Sequence, residues 1–550
     1  MQRIAALFLG LVFSVSALAG WDEGYAAYKA NDYANAYKEW KALADQGNAD
    51  AQNGIGLLYQ NGQGLAQDYA EAVKWYRKSA DQGNAAALNN LGGMYYFGKG
   101  VLQDFAEAAK WFHISAEKGS ATAQRWLCAM YSIGKGVPHD DAEAFAMCSK
   151  ASNQGEPSAQ YMLGLMYRAG QGVSKNATEA AKWFQKSASQ GQKEAQHEIG
   201  AMYDKLGKAQ DFAEAVKWYS KAAEQGYALA QNNLGAKYEY GQGVPQDYAE
   251  AARWYRKSAD QGNATAQRNL ARLYNNGQGV TQDYAVVAKL FTAAANQGDA
   301  SAQRSLGYLY YIGRGVALDY AEAAKWHRLA ADQGDSAAQF YMGLQYAKGN
   351  GVLQDNQEAV KWYRLSANQG DADAMNNLGV MYEYIFKVNS IAYALFNISA
   401  ATDFSSTNKA AANRDKLSES MSEAEIIKAQ DLSRKISQHG KFLEALDVAI
   451  TQEADRRTKI AMDVLNKVKK KTSAKDKASS SPSVAPIKTS KSSGPYPVRP
   501  AKQPGVVSCN TNCMNGDCYR TYDDGREVHF HAKQKMNPFN GQFEWDSGSC

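Results

Sequence analysis

Several things are missing from this chain, and each absence removes a class of function. Outside Ile4 to Val15, no run of residues approaches the roughly 20 apolar positions of a membrane-spanning helix, and that one run is itself too short to span comfortably. Charge of either sign is not in excess. The 61 Lys and Arg against 56 Asp and Glu leave +5 over 550 residues, which is not the signature of a nucleic-acid binder. There is no HExxH, no Ser in a nucleophile-elbow context and no carboxylate pair beyond those that recur with the repeat described below. The seven histidines are His113, His139, His197, His327, His439, His529 and His531, and the five in the helical body are scattered over different segments. No catalytic constellation emerges, and neither a metal nor a cofactor is expected.

The first residues, MQRIAALFLGLVFSVSALAG, carry a positive Arg3, the short apolar run and small residues at Ala17 and Ala19. That order reads as a secretory signal (1–19) cleaved after Ala19, with no Cys following to take a lipid. A periplasmic or secreted protein is the expectation.

What the chain has in abundance is one phrase. GQGVPQDYAEAARWYRKSADQG at 241–262 is nearly repeated as GQGLAQDYAEAVKWYRKSADQG at 62–83, and the register holds through nine units between residues 48 and 370. The units start at Asn48, Asn84, Ser120, Glu156, Gln192, Tyr227, Asn263, Asp299 and Asp335, and all have 36 residues except the fifth, with 35. Such a period marks a repeat architecture. Within a unit, Ala at position 4, Leu, Ile or Met at 8 and Tyr at 12 form one face of a first helix. Position 9 is Gly in seven units, with Cys128 and Ala271 in the others, and a small residue there admits a neighbouring backbone. A GxGV loop follows, then a second helix with Ala at 25, Trp at 28, an aromatic at 29 and Ala at 33. The loop glycines lie between two helices and precede an Asp, so they read as a hinge and not as a phosphate cradle. The Asp and Glu of QDYAEA read as charges suited to a helix N-terminus. Each unit is a helical hairpin that buries its apolar face only against its neighbours.

These residues resemble the Sel-one-like repeat of the tetratricopeptide superfamily over about 48–437. The resemblance implies an all-α, right-handed α-solenoid of stacked helical hairpins, a non-enzymatic scaffold, and first helices that line a concave groove. Residues 20–47 look like a shortened first unit. Residues 371–437 look like a worn last unit and cap, in which Ser422 and Glu425 fit a capping box, and an accessory helix is expected over 438–466. Relatives serve varied roles, among them envelope regulation and host interaction. Two other classes stay open: a β-lactam-binding or hydrolysing enzyme, an activity associated with cysteine-rich relatives, and an envelope-attached structural protein.

On the wheel of the first helix, positions 3, 6, 10 and 13 lie opposite the 4-8-12 stripe and vary from unit to unit. They supply Arg268, Arg272, Arg304, Tyr308, Tyr311 and Phe340, and in earlier units Tyr96, Arg125, Tyr161 and Arg168. Tyr and Arg are enriched where partners bind, and packing offers no account of the arginines in units seven to nine. These ten residues are the candidate site for a protein or peptide partner.

Six cysteines in an exported chain suggest disulfides. Cys128 and Cys148 hold positions 9 and 29 of the third unit and point into one helical pair, so a bridge is expected between them. Residues 467–508 are a basic linker; the stretch 467–502 alone has nine Lys, one Arg and one Asp. The linker is either a spacer or a contact to an anionic envelope surface. Residues 509–550 read as a small cysteine-rich β module with CYRTY and REVHFHA around a turn at Asp523-Asp524-Gly525 and QFEWD as a third strand. Cys509, Cys513, Cys518 and Cys550 would staple it, in any of three pairings; zinc held with His529 and His531 is the lesser alternative.

Overall fold

The computed structural model describes residues 20–476 apart from 404, 406, 407 and 439, with side chains through residue 467, and the backbone of five strands between 509 and 546. The expected signal segment, residues 477–508 of the linker and Cys550 lie outside the described residues, as do the side chains of Cys509, Cys513, Cys518, His529 and His531.

Each unit supplies two helices, and the reasons recur with the period. Position 1 caps the first helix in every unit but the fifth and sixth, which begin with Gln192 and Tyr227: Asn48 Oδ1 accepts the Ala51 N–H at 2.9 Å, and Asp299 and Asp335 do the same for Ala302 and Ala338 at 2.8 Å. The Asp before the second helix is its cap in most units, as when Asp68 Oδ1 accepts from Ala70 and Glu71 at 2.9 and 3.0 Å; Asn176 takes that place in the fourth, and Lys208 in the fifth makes no such bond. The first loop glycine ends the first helix in the left-handed conformation, for example Gly62 at φ 65°. The second lies against the main chain of the preceding unit: a Cβ on Gly100 would stand 2.3 Å from the Tyr69 carbonyl. The hinge reading of GxGV therefore acquires a second purpose, since only glycine fits that seam.

The result is an all-α repeat solenoid in which each helix packs on the one before and the one after. Ala51, Ile55, Ala72 and Tyr76 show how one unit fills its interior, each with 0% exposure. Position 9 takes a small residue because the position-29 ring lies on it: a Cβ on Gly56 would meet Tyr76 at 2.6 Å, and one on Gly164 would meet Phe184 at 2.6 Å. In the third unit that contact is covalent. Cys128 and Cys148 form a disulfide across a Cα separation of 5.2 Å, as expected from their positions. In the eighth unit the ring at position 29 is the imidazole of His327, also fully buried. Position 28 departs from Trp at Met147 and Leu290.

A buried polar ladder accompanies the apolar core. Gln52 Nε2 donates to the Ala44 carbonyl of the preceding segment (3.1 Å), and Gln52 Oε1 accepts from Gln82 Nε2 at 2.7 Å. The same amide pairing recurs at Gln124–Gln154, Gln231–Gln261 and Gln303–Gln333, so these buried amides are satisfied.

At the C-terminal end, Ala372–Tyr384 and Asn389–Thr402 form the worn unit, and Glu423–Ile436 follows with the Ser422–Glu425 capping box in place. Phe396, Leu378 and Leu446 share one buried cluster there, so the helix that starts at Phe442 closes the end. That helix continues to Asp476, past residue 467 and into the segment expected to be linker. Strand backbone beyond it runs antiparallel in the order Cys509–Met514, Asp517–Tyr522, Glu527–His531, with Lys533–Met536 and Phe543–Asp546 paired separately. The expected arrangement is corrected here: the QFEWD strand does not join the first sheet. Its place is taken by Cys509–Met514, which pairs antiparallel with Asp517–Tyr522. The staples themselves lie outside the described side chains.

Candidate functional site

Three successive first helices, Ala264–Asn276, Ala300–Ile312 and Ser336–Lys348, place positions 6 and 10 of neighbouring units side by side. Between them lies a cleft of about 390 Å³ that brings together Arg268, Arg272, Arg304 and Tyr308 with Arg314 and Tyr341. Four of the ten candidate residues thus share one site. The other six do not line it. Tyr311 packs edge-on to Tyr320 at 5.2 Å and accepts from Asn350 Nδ2 at 3.2 Å, while Phe340 leans on Tyr363 at 5.9 Å; both also abut Tyr341, at 6.2 and 5.4 Å. Tyr96 packs on Trp126 at 5.0 Å, and Arg125 lies over the same ring at 4.7 Å. Tyr161 is half-buried against Phe184, and burial pushes its hydroxyl up to about 12. Arg168 lies over Phe184 as well, at 5.5 Å.

The arginines do have a packing account, contrary to the expectation from sequence. Position 6 of one unit meets the capping carboxylate of the next: Arg268 Nε lies 3.3 Å from Asp299, Arg304 Nε 3.4 Å from Asp335 and Arg125 Nε 3.5 Å from Glu156. Arg272 grips Glu239 with both terminal nitrogens at 2.6 Å, and the buried Glu239 also accepts from Tyr255 Oη at 2.8 Å. That hydrogen bonding holds the Arg272 guanidinium above its ordinary value. Arg168 pairs with Glu198. All five candidate arginines therefore bridge adjacent units. The bridging leaves something over: Arg268 and Arg304 stand beside their carboxylates as ion pairs only, and no side-chain nitrogen of either makes a hydrogen bond among the described residues. Arg314, exposed in its loop, has no carboxylate partner there at all and rests on the Tyr284 ring at 4.8 Å.

Arg314 and Tyr341 escaped the wheel. Arg314 is the middle residue of a GxG loop, where Gln63, Lys99 and Gln242 stand in other units, and Tyr341 is at position 7. One signal was available: position 7 is Asn90, Asn233 or Asn269 elsewhere, polar residues that meet position 6 of the preceding unit, as Asn90 meets Asn53 at 2.9 Å. Three histidines are engaged within the fold: His113 with Tyr131 and His197 with Asn233 at 3.1 Å, His327 Nδ1 with Gln345 Oε1 at 3.0 Å. Burial lowers the His327 imidazole to about 4.

A family model described as the Sel1 repeat matches ten consecutive segments from residue 49 to 401: the nine units, offset by one residue, and the worn tenth at 372–401. The crystal structure of c5321, a protective antigen present in uropathogenic Escherichia coli strains and displaying an SLR fold, is 35% identical with a TM-score of 0.65, covering 80% of this chain and 94% of that one. A Sel1 repeat protein from Oxalobacter formigenes is 33% identical over 56% of this chain and 90% of its own, with a TM-score of 0.42. No curated protein matches the sequence significantly.

Proposed function

The chain belongs to the Sel1 repeat family, and from that premise we propose that it is an exported, non-enzymatic adaptor that holds a protein or peptide partner along its first-helix face at units seven to nine. The repeat fold is typical of protein–protein interaction scaffolds, which makes a protein partner the natural occupant. The observation that carries the site is the cleft in which Arg268, Arg304, Arg314, Tyr308 and Tyr341 converge with unpaired guanidinium nitrogens. Export rests on residues 1–19 and on the resemblance to c5321, which is described as a protective antigen. No described helix is long and apolar enough to cross a membrane. A role in envelope regulation or host interaction follows from that location. The basic linker and the cysteine-bearing β segment, stapled through Cys509, Cys513, Cys518 and Cys550, would offer a second contact, the linker to an anionic envelope surface.

The test is a cross-linked pull-down from envelope extract and host secretions with two baits, the intact protein and an Arg314→Glu, Tyr308→Ser variant. These positions are chosen because neither holds an inter-unit ion pair, whereas Arg272→Glu would set two carboxylates against each other beside buried Glu239. A partner retained by the first bait and lost by the second supports the cleft; equal capture by both removes it.

A further inference from the structure

Resting on the groove reading above, we propose that the cleft of units seven to nine recognises an acidic peptide, one or two carboxylates next to an apolar side chain. Every charged residue in its lining is cationic: Arg268, Arg272, Arg304 and Arg314 contribute and no Asp or Glu does. The arginines are not equivalent. Arg272 is committed to Glu239 through both terminal nitrogens and acts as a fixed wall. Arg268 and Arg304 lie 3.3 and 3.4 Å from Asp299 and Asp335 through Nε, yet neither buried Nε makes a hydrogen bond among the described residues, and their terminal nitrogens, the end that grips a carboxylate two-handed, make none either. Arg314 brings a cation whose charge no neighbouring carboxylate neutralises. Guanidinium donors left unsatisfied in a lining without carboxylates favour a ligand that brings the acceptors.

The rest of the lining decides what carries the carboxylate. Phe291, Leu309 and Ile312 form an apolar wall beside the guanidinium groups, and the Tyr308 and Tyr341 rings lie 5.7 Å apart. A saccharide would present many hydroxyl donors, and a lining without a carboxylate accepts few of them. A folded surface would not enter a cavity of about 390 Å³, whereas a few side chains of an extended segment fit its size. Nucleic acid would need a longer basic track than one cluster supplies.

The experiment is fluorescence anisotropy on the full-length protein with a fluorescein-labelled peptide set carrying two glutamates and one leucine in every order on a Gly-Ser background. The all-glutamine counterparts and a labelled polyuronate oligosaccharide are run alongside. Saturable binding of at least one Glu peptide is expected, about tenfold tighter than its Gln counterpart and weakened by salt. Arg314→Gln is expected to weaken it about tenfold with an unchanged helical melting curve, and Tyr308→Ser to weaken it less. Binding of Gln and Glu peptides alike, tight binding to Arg314→Gln, preference for the polyuronate, or no binding across the set would each overturn the proposal. The pull-down separates the two levels. A partner that Arg314→Glu, Tyr308→Ser loses while no acidic peptide binds refutes the acidic chemistry and keeps the groove, and a partner that variant retains refutes the groove itself.

Discussion

The third and eighth units put different chemistry into one slot. Elsewhere position 9 is a small residue beneath the ring at position 29. In the third unit the two positions are Cys128 and Cys148, joined covalently; in the eighth they are Gly307 and His327, with a Cβ on Gly307 reaching 2.5 Å from the imidazole. Both slots are sealed from water. The first is sensitive to reduction and the second to protonation, so two hairpins of nearly identical shape fail under unrelated conditions. The slot tolerates this because the backbone fixes its geometry and asks only that the two side chains together fill it.

The largest expected effect comes from opening the covalent version. Cys128→Ala with Cys148→Ala should cost about 3 kcal/mol, from the roughly 20-residue loop released and the void left behind. Cys128→Gly with Cys148→Tyr, which restores the common pairing of the repeat, should recover most of that loss. Urea unfolding of both variants checks it, and equal loss in the two would mean that the slot does not carry the stability. Second, His327 stays neutral in the fold down to about pH 4, while an exposed histidine in the unfolded chain protonates near 6.5. Above that pH neither state holds the proton and nothing is contributed. As pH falls below it only the unfolded chain gains a proton, so about 2 kcal/mol should be lost between pH 7 and pH 5. His327→Tyr should flatten that slope in melting experiments across the range, and an unchanged slope would assign it elsewhere. Third, Gly56→Ala should cost about 1–2 kcal/mol, because its Cβ would press on the Tyr76 ring at 2.6 Å. Ala271 beneath Phe291 indicates that the strain can be relieved, so a loss above that range would count against relief. The smallest stability effect belongs to Arg314→Gln, within about 0.5 kcal/mol by thermal melting, since the side chain is exposed and only rests on Tyr284.

Much of this was legible because the period aligns equivalent positions. Ala, Leu and Tyr at 4, 8 and 12 disclosed the helix face, and the two cysteines disclosed their bridge by standing where a small residue and a ring normally meet. The arginines were misread because a helical wheel sees one helix at a time. The partner of Arg268 is the cap of the following unit, Asp299, and that relation between units has no trace in the periodicity of either helix. The Gln52–Gln82 ladder escaped for a similar reason: burial makes glutamine structural, and composition does not reveal burial. Arg314 and Tyr341 were invisible because loop conformation and inter-unit stagger bring them to the cleft.

The second loop glycine has a bearing on how such a chain grows. Where it meets the preceding unit it lies against Tyr69, Phe105, Tyr248 or Tyr284 through main-chain and Cβ atoms, parts that every residue but glycine has. The seam is therefore blind to the identity of the unit before it. A duplicated or deleted hairpin would meet the same seam, so the reach of the molecule can lengthen or shorten in steps of one genetic copy, and only inter-unit pairs such as Arg272–Glu239 would have to be re-made.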